Sequence, residues 1–194
     1  MKNIAIFASG SGTNAQNIAE YFRDNRKIRV SVILTNKKDA FVIERAKKLR
    51  IPCVVFTRKD FYESDNILDV LHEYEIDFIV LAGFLWFVPD KLLNSFPRRI
   101  INIHPALLPK FGGKGMYGDK VHEAVINSGV KRTGISIHYV NDHYDEGEII
   151  FQDSFDIQPN DTAETIAQKV HALEYKHFPR VIEDVVNKWS LGCY

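Results

Sequence analysis

The chain reads as an α/β protein: a three-layer, doubly wound fold on a mostly parallel seven-stranded sheet. Three observations predict it. Short apolar runs recur along the chain with helical stretches between them. The early runs are apolar at consecutive positions, as strands covered on both faces require. After Arg132 the alternation gives way to two strand-like runs joined by a short polar segment, so at least one strand near the C-terminal edge runs antiparallel.

The strands are expected at Ile4 to Phe7, Val30 to Leu34, Cys53 to Phe56, Phe78 to Ala82 and Ile100 to Ile103, followed by Ile135 to Val140 and Ile149 to Phe151. "NDHYDEGE" is the turn between the last two. Helices are expected at Asn14 to Asp24, Ala40 to Leu49, Asp60 to Tyr74, briefly after Pro89, and at Asp119 to Ser128. Their apolar residues, such as Ile18 with Phe22 and Ile67 with Val70 and Leu71, recur at the spacing of one buried face. From about Thr162 to Trp189 the pattern predicts one long helix interrupted near Pro179, because proline removes a backbone donor.

At 194 residues the chain is sized for one well-buried domain, 1–194, with a nucleotide- and phosphate-binding half over about 1–100 and a catalytic half over about 101–194. Its 25 basic and 25 acidic side chains cancel, which gives no general attraction for nucleic acid or an anionic membrane. Small-molecule substrates are the expected partners, with the protein a monomer or homodimer. Cys53 and Cys193 form neither a disulfide framework nor a zinc pattern, and no metal is expected. The N-terminus enters a strand at once, and no apolar run approaches the ~20 residues that span a bilayer. A reducing cytoplasm is the natural setting.

"FASGSGTNAQ", residues 7 to 16, sits where the first strand hands over to a helix. A glycine turn there lets the backbone approach a ligand and aims unpaired helix N–H groups at it, which suits a phosphate. Ser11, Thr13 and Asn14 add side-chain donors, and Asn14 can also cap the helix. Gly10, Gly12 and Ala15 fit the dinucleotide fingerprint, but the second strand ends in Thr35-Asn36-Lys37-Lys38 without the carboxylate that a ribose needs. A turn that merely packs helix on strand is the plain alternative.

Ligands of such sheets bind at the carboxyl ends of parallel strands. The glycine loop, Ala82-Gly83-Phe84 and Asn102-Ile103-His104-Pro105 all fall at such ends and are expected to meet in one crevice. Two residues apart on a strand, Asn102 and His104 face the same way. Together they can stabilise charge on a carbonyl oxygen and move a proton, although a buried histidine bonded to a carbonyl would look the same. Of the carboxylates after Val140, Asp145, two residues before Gly147, is the one expected to approach His104 and raise its pKa. No nucleophilic serine or cysteine setting is visible, so any carbonyl chemistry is direct attack by a substrate. The residues alone suggest group transfer to a phosphorylated acceptor.

"SGSGTN", "LAGF", "INIHPALLP" and "DEGEII" occur in that order over nearly the whole chain. In this the sequence resembles the folate-dependent phosphoribosylglycinamide formyltransferase family of purine biosynthesis. The resemblance implies that the amine of a glycinamide ribonucleotide attacks the formyl carbon of 10-formyltetrahydrofolate, a co-substrate. It implies that His104 is the general acid, that Asn102 binds the oxyanion, and that Asp145 holds His104 and helps manage protons. It assigns Gly12, Thr13, Asn14 and Glu174 to the ribonucleotide. Leu85, Trp86, Phe87 and Val88, with Asn102, go to the pterin, and Arg58 to the glutamate tail of folate. Glu174 as an exposed helix charge, Leu85 to Val88 as plain core and Arg58 as a surface arginine are the simpler readings.

Two departures stand out. Trp86 replaces an arginine common in the family, and the loop from Phe111 to Gly118 is unusually rich in glycine. Related formyltransferases acting on methionyl-tRNA or sugars typically add a C-terminal domain, and formyltetrahydrofolate hydrolase an N-terminal one. A chain of this length is expected to have room for neither. Another acceptor within the family, an NAD-dependent oxidoreductase and a non-enzymatic folate- or nucleotide-binding module are the competing functions.

Overall fold

The computed structural model describes residues 1–192, so Cys193 lies outside the described residues. The chain runs β1 (Lys2–Phe7), α1 (Thr13–Tyr21), β2 (Ile28–Thr35), α2 (Val42–Leu49), β3 (Cys53–Val55), α3 (Arg58–Tyr62), α4 (Asn66–Glu73) and β4 (Phe78–Leu81). It continues α5 (Asp90–Ser95), β5 (Ile100–His104), α6 (Asp119–Asn127), β6 (Arg132–Tyr139), β7 (Ile149–Asp156) and α7 (Ala163–Ser190). The strands form one seven-stranded sheet in the order β3-β2-β1-β4-β5-β6-β7. All pairings from β3 to β5 are parallel; β6 is antiparallel to both β5 and β7.

Alternation along each central strand sends side chains to two cores. Ile4 and Ile6 of β1 and Phe78 and Val80 of β4 join Ile18, Val170, Phe178 and Ile182 on one face. Ala5, Phe7, Ile79 and Leu81 join Phe61, Ile67, Leu71 and Leu92 on the other. Helices cover both faces, giving the three layers expected. Because β2 and β3 extend the sheet to one side of β1 and β4 to β7 extend it to the other, strand order reverses between β1 and β4. A crevice opens there, outside their carboxyl ends.

Two helical expectations are corrected. The helix expected over Asp60 to Tyr74 is two helices. Thr57 caps α3 through a reciprocal box with Asp60, and the chain breaks at Ser64-Asp65, where the Ser64 hydroxyl bonds the Asp60 carbonyl. The interruption at Pro179 does not occur, since α7 is continuous through it. Proline at this position removes the donor that would serve the carbonyl of Tyr175, and Asn17 Nδ2 on α1 donates to that oxygen instead at 3.0 Å. No helix among the described residues is long and apolar enough to cross a membrane.

Candidate active site

The first wall of the crevice is the loop after β1. Gly12 precedes α1 with φ of 72°, and a Cβ there would lie 2.3 Å from Val42 Cγ2, so both backbone and space demand glycine. The loop is tied down from several sides. Val42 N–H donates to the Gly10 carbonyl at 3.2 Å, Ser9 N–H to the Gly83 carbonyl at 3.0 Å, and Arg45 Nε to the Ser11 carbonyl at 2.7 Å. The Leu85 N–H reaches Ser9 Oγ at 3.1 Å, which joins the loop to the end of β4.

Asn14 does not cap α1, in contrast to expectation. It lies inside the helix, where its Nδ2 donates to Glu174 Oε2 at 2.8 Å, and its buried Oδ1 has no protein partner. Glu174 is only 4% exposed, so it is not the solvated helix charge that is usual for glutamate.

The second wall comes from β5 and its antiparallel partner. Sheet register sets Asn102 opposite His138 and His104 opposite Ser136. His138 Nδ1 lies 2.8 Å from the Tyr139 carbonyl, which can only accept, so in the neutral ring Nε2 accepts from Asn102 Nδ2 at 3.1 Å. Ser136 anchors the segment beyond His104. Its hydroxyl donates to the Ala106 carbonyl at 2.7 Å and accepts from Leu108 N–H at 2.9 Å and Gln152 Nε2 at 2.7 Å.

Asp145 reaches this pair from the β6–β7 turn. Its backbone is left-handed, with φ of 57°, and its Oδ2 accepts from Gly113 N–H at 3.0 Å. The turn can come this close because a Cβ on Gly147 would lie 1.7 Å from the Tyr139 carbonyl oxygen. Asp145 Oδ2 lies 3.6 Å from His104 Nδ1, and Oδ1 lies 3.6 Å from His138 Nε2.

The expected rise in the His104 pKa does not occur. Burial holds the imidazole below its ordinary value, and the Asp145 charge opposes this without overcoming it. Burial pushes the Asp145 carboxyl up, but the His138 and His104 imidazoles beside it and the Gly113 N–H together bring it below the usual carboxylate value. His104 Nε2 lies 2.8 Å from the Phe111 carbonyl, so the glycine-rich loop touches the imidazole directly.

These walls enclose a cleft of about 620 Å³ that includes the Ser9 to Asn14 loop, Ala82 to Leu85, Asn102 to Pro105, Asp145 and Glu174. The three expected strand ends therefore meet. A smaller crevice of about 60 Å³ adjoins it at Asn102 and Asp145, walled by Leu85, Trp86, Phe87 and Val88 with Val140 and Tyr144. Phe87 and Tyr144 rings sit 4.8 Å apart, and Tyr62 donates to the Phe87 carbonyl at 2.9 Å. Val88 also belongs to the core, at 5% exposure. Arg58 lies on neither cavity wall; its guanidinium stands over the rings of Tyr62 at 4.7 Å and Trp86 at 6.0 Å.

Sequence reasoning missed Ser136 and His138, although both are polar, two apart, in an apolar strand. It also missed Lys37, Lys114, His122 and His171, which line the large cleft. Among the described residues no group of His, Cys, Asp or Glu side chains is arranged to hold a metal.

A doubly wound α/β sheet with a polar cleft at its switch point, containing an amide, an imidazole and a carboxylate, defines a ligand-binding protein with the groups needed for acyl chemistry. The formyl transferase family model matches residues 2–182, and the chain belongs to that family. A chloroplastic phosphoribosylglycinamide formyltransferase of Arabidopsis thaliana is 43% identical over 93% of the chain, which spans 64% of that relative's length. The phosphoribosylglycinamide formyltransferase of Bacillus subtilis (strain 168) is 37% identical, with 99% of this chain and 98% of that one covered. The crystal structure of phosphoribosylglycinamide formyltransferase from Bacillus halodurans superposes with a TM-score of 0.86 at 38% identity, covering 96% of each chain.

Proposed function

We propose that the protein transfers a formyl group from 10-formyltetrahydrofolate to the amine of 5-phosphoribosylglycinamide, a step of purine biosynthesis. The observation that carries this is one continuous cleft joining the glycine loop to Asn102, His104 and Asp145. Relatives that bear the name phosphoribosylglycinamide formyltransferase over the chain's full length support the same acceptor.

In this reading the ribonucleotide phosphate meets the backbone N–H groups of Gly12, Thr13 and Asn14, with Lys37 and Lys114 adding positive charge nearby. Glu174 contacts the same ribonucleotide. The smaller crevice takes the pterin against Leu85 to Val88, and Arg58 faces the glutamate tail.

The amine lone pair attacks the formyl carbon, a C–N bond forms, and the carbonyl electrons move onto oxygen. Asn102 donates to that oxyanion, its amide turned by His138 so that Nδ2 is the donor. The attacking nitrogen passes a proton by way of Asp145 to His104, the oxyanion collapses as the bond from carbon to N10 breaks, and N10 takes a proton from the imidazolium so formed, leaving tetrahydrofolate and the N-formyl product. His104 supplies the proton, exchanging its bond to the Phe111 carbonyl for one to substrate. Asp145 steadies the imidazolium and passes protons onward. The enzyme thus aligns two substrates and forms no covalent intermediate of its own. We assign the activity to a single domain, monomeric or homodimeric, in the cytoplasm.

The test mixes the protein with 10-formyltetrahydrofolate and follows tetrahydrofolate release with and without the ribonucleotide. Release only with the ribonucleotide, with its formylation, supports the proposal. Release without an acceptor indicates hydrolysis, and binding of both ligands without release indicates a binding module. Tight NADH binding by fluorescence would instead favour an oxidoreductase.

A further inference from the structure

The ribonucleotide end of the cleft contains a histidine that the reaction above leaves unused. His171 stands on α7 one turn before Glu174, and its Nδ1 lies 2.9 Å from Glu174 Oε2. That is the same oxygen that Asn14 Nδ2 reaches at 2.8 Å. Two donors from two helices therefore converge on one carboxylate oxygen, which leaves Oε1 for a ligand. The imidazole is itself held, with its ring lying nearly parallel to that of Tyr175 at 6.1 Å between centroids and 13° between planes.

The arrangement answers an electrostatic problem. Glu174 is buried, and an uncompensated carboxylate is costly in such a place, more so beside an incoming phosphate. Asn14 contributes a dipole but no charge. His171 is about half exposed, so it can hold a proton while its Nδ1 faces the carboxylate.

We propose that His171 is a positioning residue for the ribonucleotide: it fixes Glu174 with Oε1 free for the ligand and balances its charge as the phosphate binds. The inference rests on the proposed function and deepens its acceptor site. The groups facing the imidazole are Glu174 and Tyr175 on α7 and Asp119 and His122 on α6, with Lys37 and Lys114 in the same cleft and neutral Asn14 on α1. The Glu174 hydrogen bond raises the His171 pKa above its ordinary value despite burial. Burial, and then the charge on His171, hold His122 below its own. The positive charge on His171 is therefore present at lower pH and is lost as pH rises through the raised value.

The experiment measures kcat and both KM values for wild type, His171→Ala and His171→Gln from about pH 6 to 9, the range around a raised imidazole pKa. His171→Ala should raise the ribonucleotide KM roughly tenfold at the acid end, with kcat and the folate KM within about twofold, as expected for loss of one charge-assisted bond. His171→Gln keeps an N–H donor and should recover part of the affinity. It should also lose the rise in ribonucleotide KM with pH that wild type shows. Equal increases in both KM values, or an unchanged wild-type pH dependence in His171→Gln, would overturn the inference. If His171→Ala does not fold, the profile of His171→Gln decides. Intact transfer with an unmoved ribonucleotide KM in His171→Ala removes only this inference; a wild type that transfers no formyl group removes the proposed function and this inference with it.

Discussion

The two ends of the site are built differently. The glycine-loop end is made from backbone, a turn pinned by Val42 and Arg45 and a helix start, with Glu174 closing it from α7. The aromatic end is made from side chains: Trp86, Phe87 and Tyr144 around a narrow crevice, with Tyr62 and Arg58 behind. The first end tolerates little change because its shape depends on torsion angles and on the absence of a Cβ. The second is packing of side chain on side chain, where one aromatic group can take the place of another. Asn102 and Asp145 border both cavities, so these two candidate groups sit where a rigid pocket meets an adaptable one.

Substitutions should separate the ends. At their junction, His104→Ala should lower kcat/KM by roughly 10²–10⁴, the usual contribution of general acid catalysis, with the circular dichroism spectrum unchanged. Retention of wild-type activity would take His104 out of the mechanism.

At the backbone end, Gly12→Ala forces a left-handed residue against Val42. It should cost about 1–3 kcal/mol in stability. For a protein of this size each kcal/mol is worth about 2–4 °C in Tm, measurable by calorimetry. The ribonucleotide KM should rise while the folate KM stays put, and the reverse pattern would exchange the two pockets.

At the side-chain end, Arg58→Ala should raise the folate KM by about twofold to fivefold, the scale of a partly exposed cation–π contact, without moving the ribonucleotide KM. Its effect on stability should stay within about 0.5 kcal/mol, as for other exposed positions.

The smallest effect is a titration at the junction. By NMR, the His104 imidazole in the free protein should have a midpoint below the ordinary histidine value of about 6.5, so that it is neutral above that pH. Asp145→Asn removes the neighbour that favours the charged ring and should lower the midpoint further. A wild-type midpoint above 6.5 would mean that burial does not dominate, and a rise in Asp145→Asn that the carboxylate does not favour the charged ring.

How much of this was legible depended on range. The β-α-β pattern and the switch-point crevice followed from local apolar periodicity, which is fixed within one turn of helix or a few residues of strand. The split of α3 from α4 was missed because Ser64 acts through local hydrogen bonds that a periodicity count overlooks. The continuity of α7 through Pro179 could not be read locally, since the oxygen left without its partner is satisfied by Asn17 from the opposite end of the chain.

The sequence by itself determined the parallel core, the glycine turn at Gly12 and the pairing of Asn102 with His104 on one strand face. These depend on torsion preferences and side-chain alternation, both properties of neighbouring residues. Only the tertiary structure decided that His138 would orient Asn102, that Asp145 would stop 3.6 Å from His104 Nδ1, and that Asn14 would bond Glu174 rather than cap its helix. Burial and antiparallel register set those outcomes. The same burial lowers the His104 pKa where a nearby carboxylate alone would have raised it, because desolvation depends on everything that surrounds a group and not on the residues beside it in the chain.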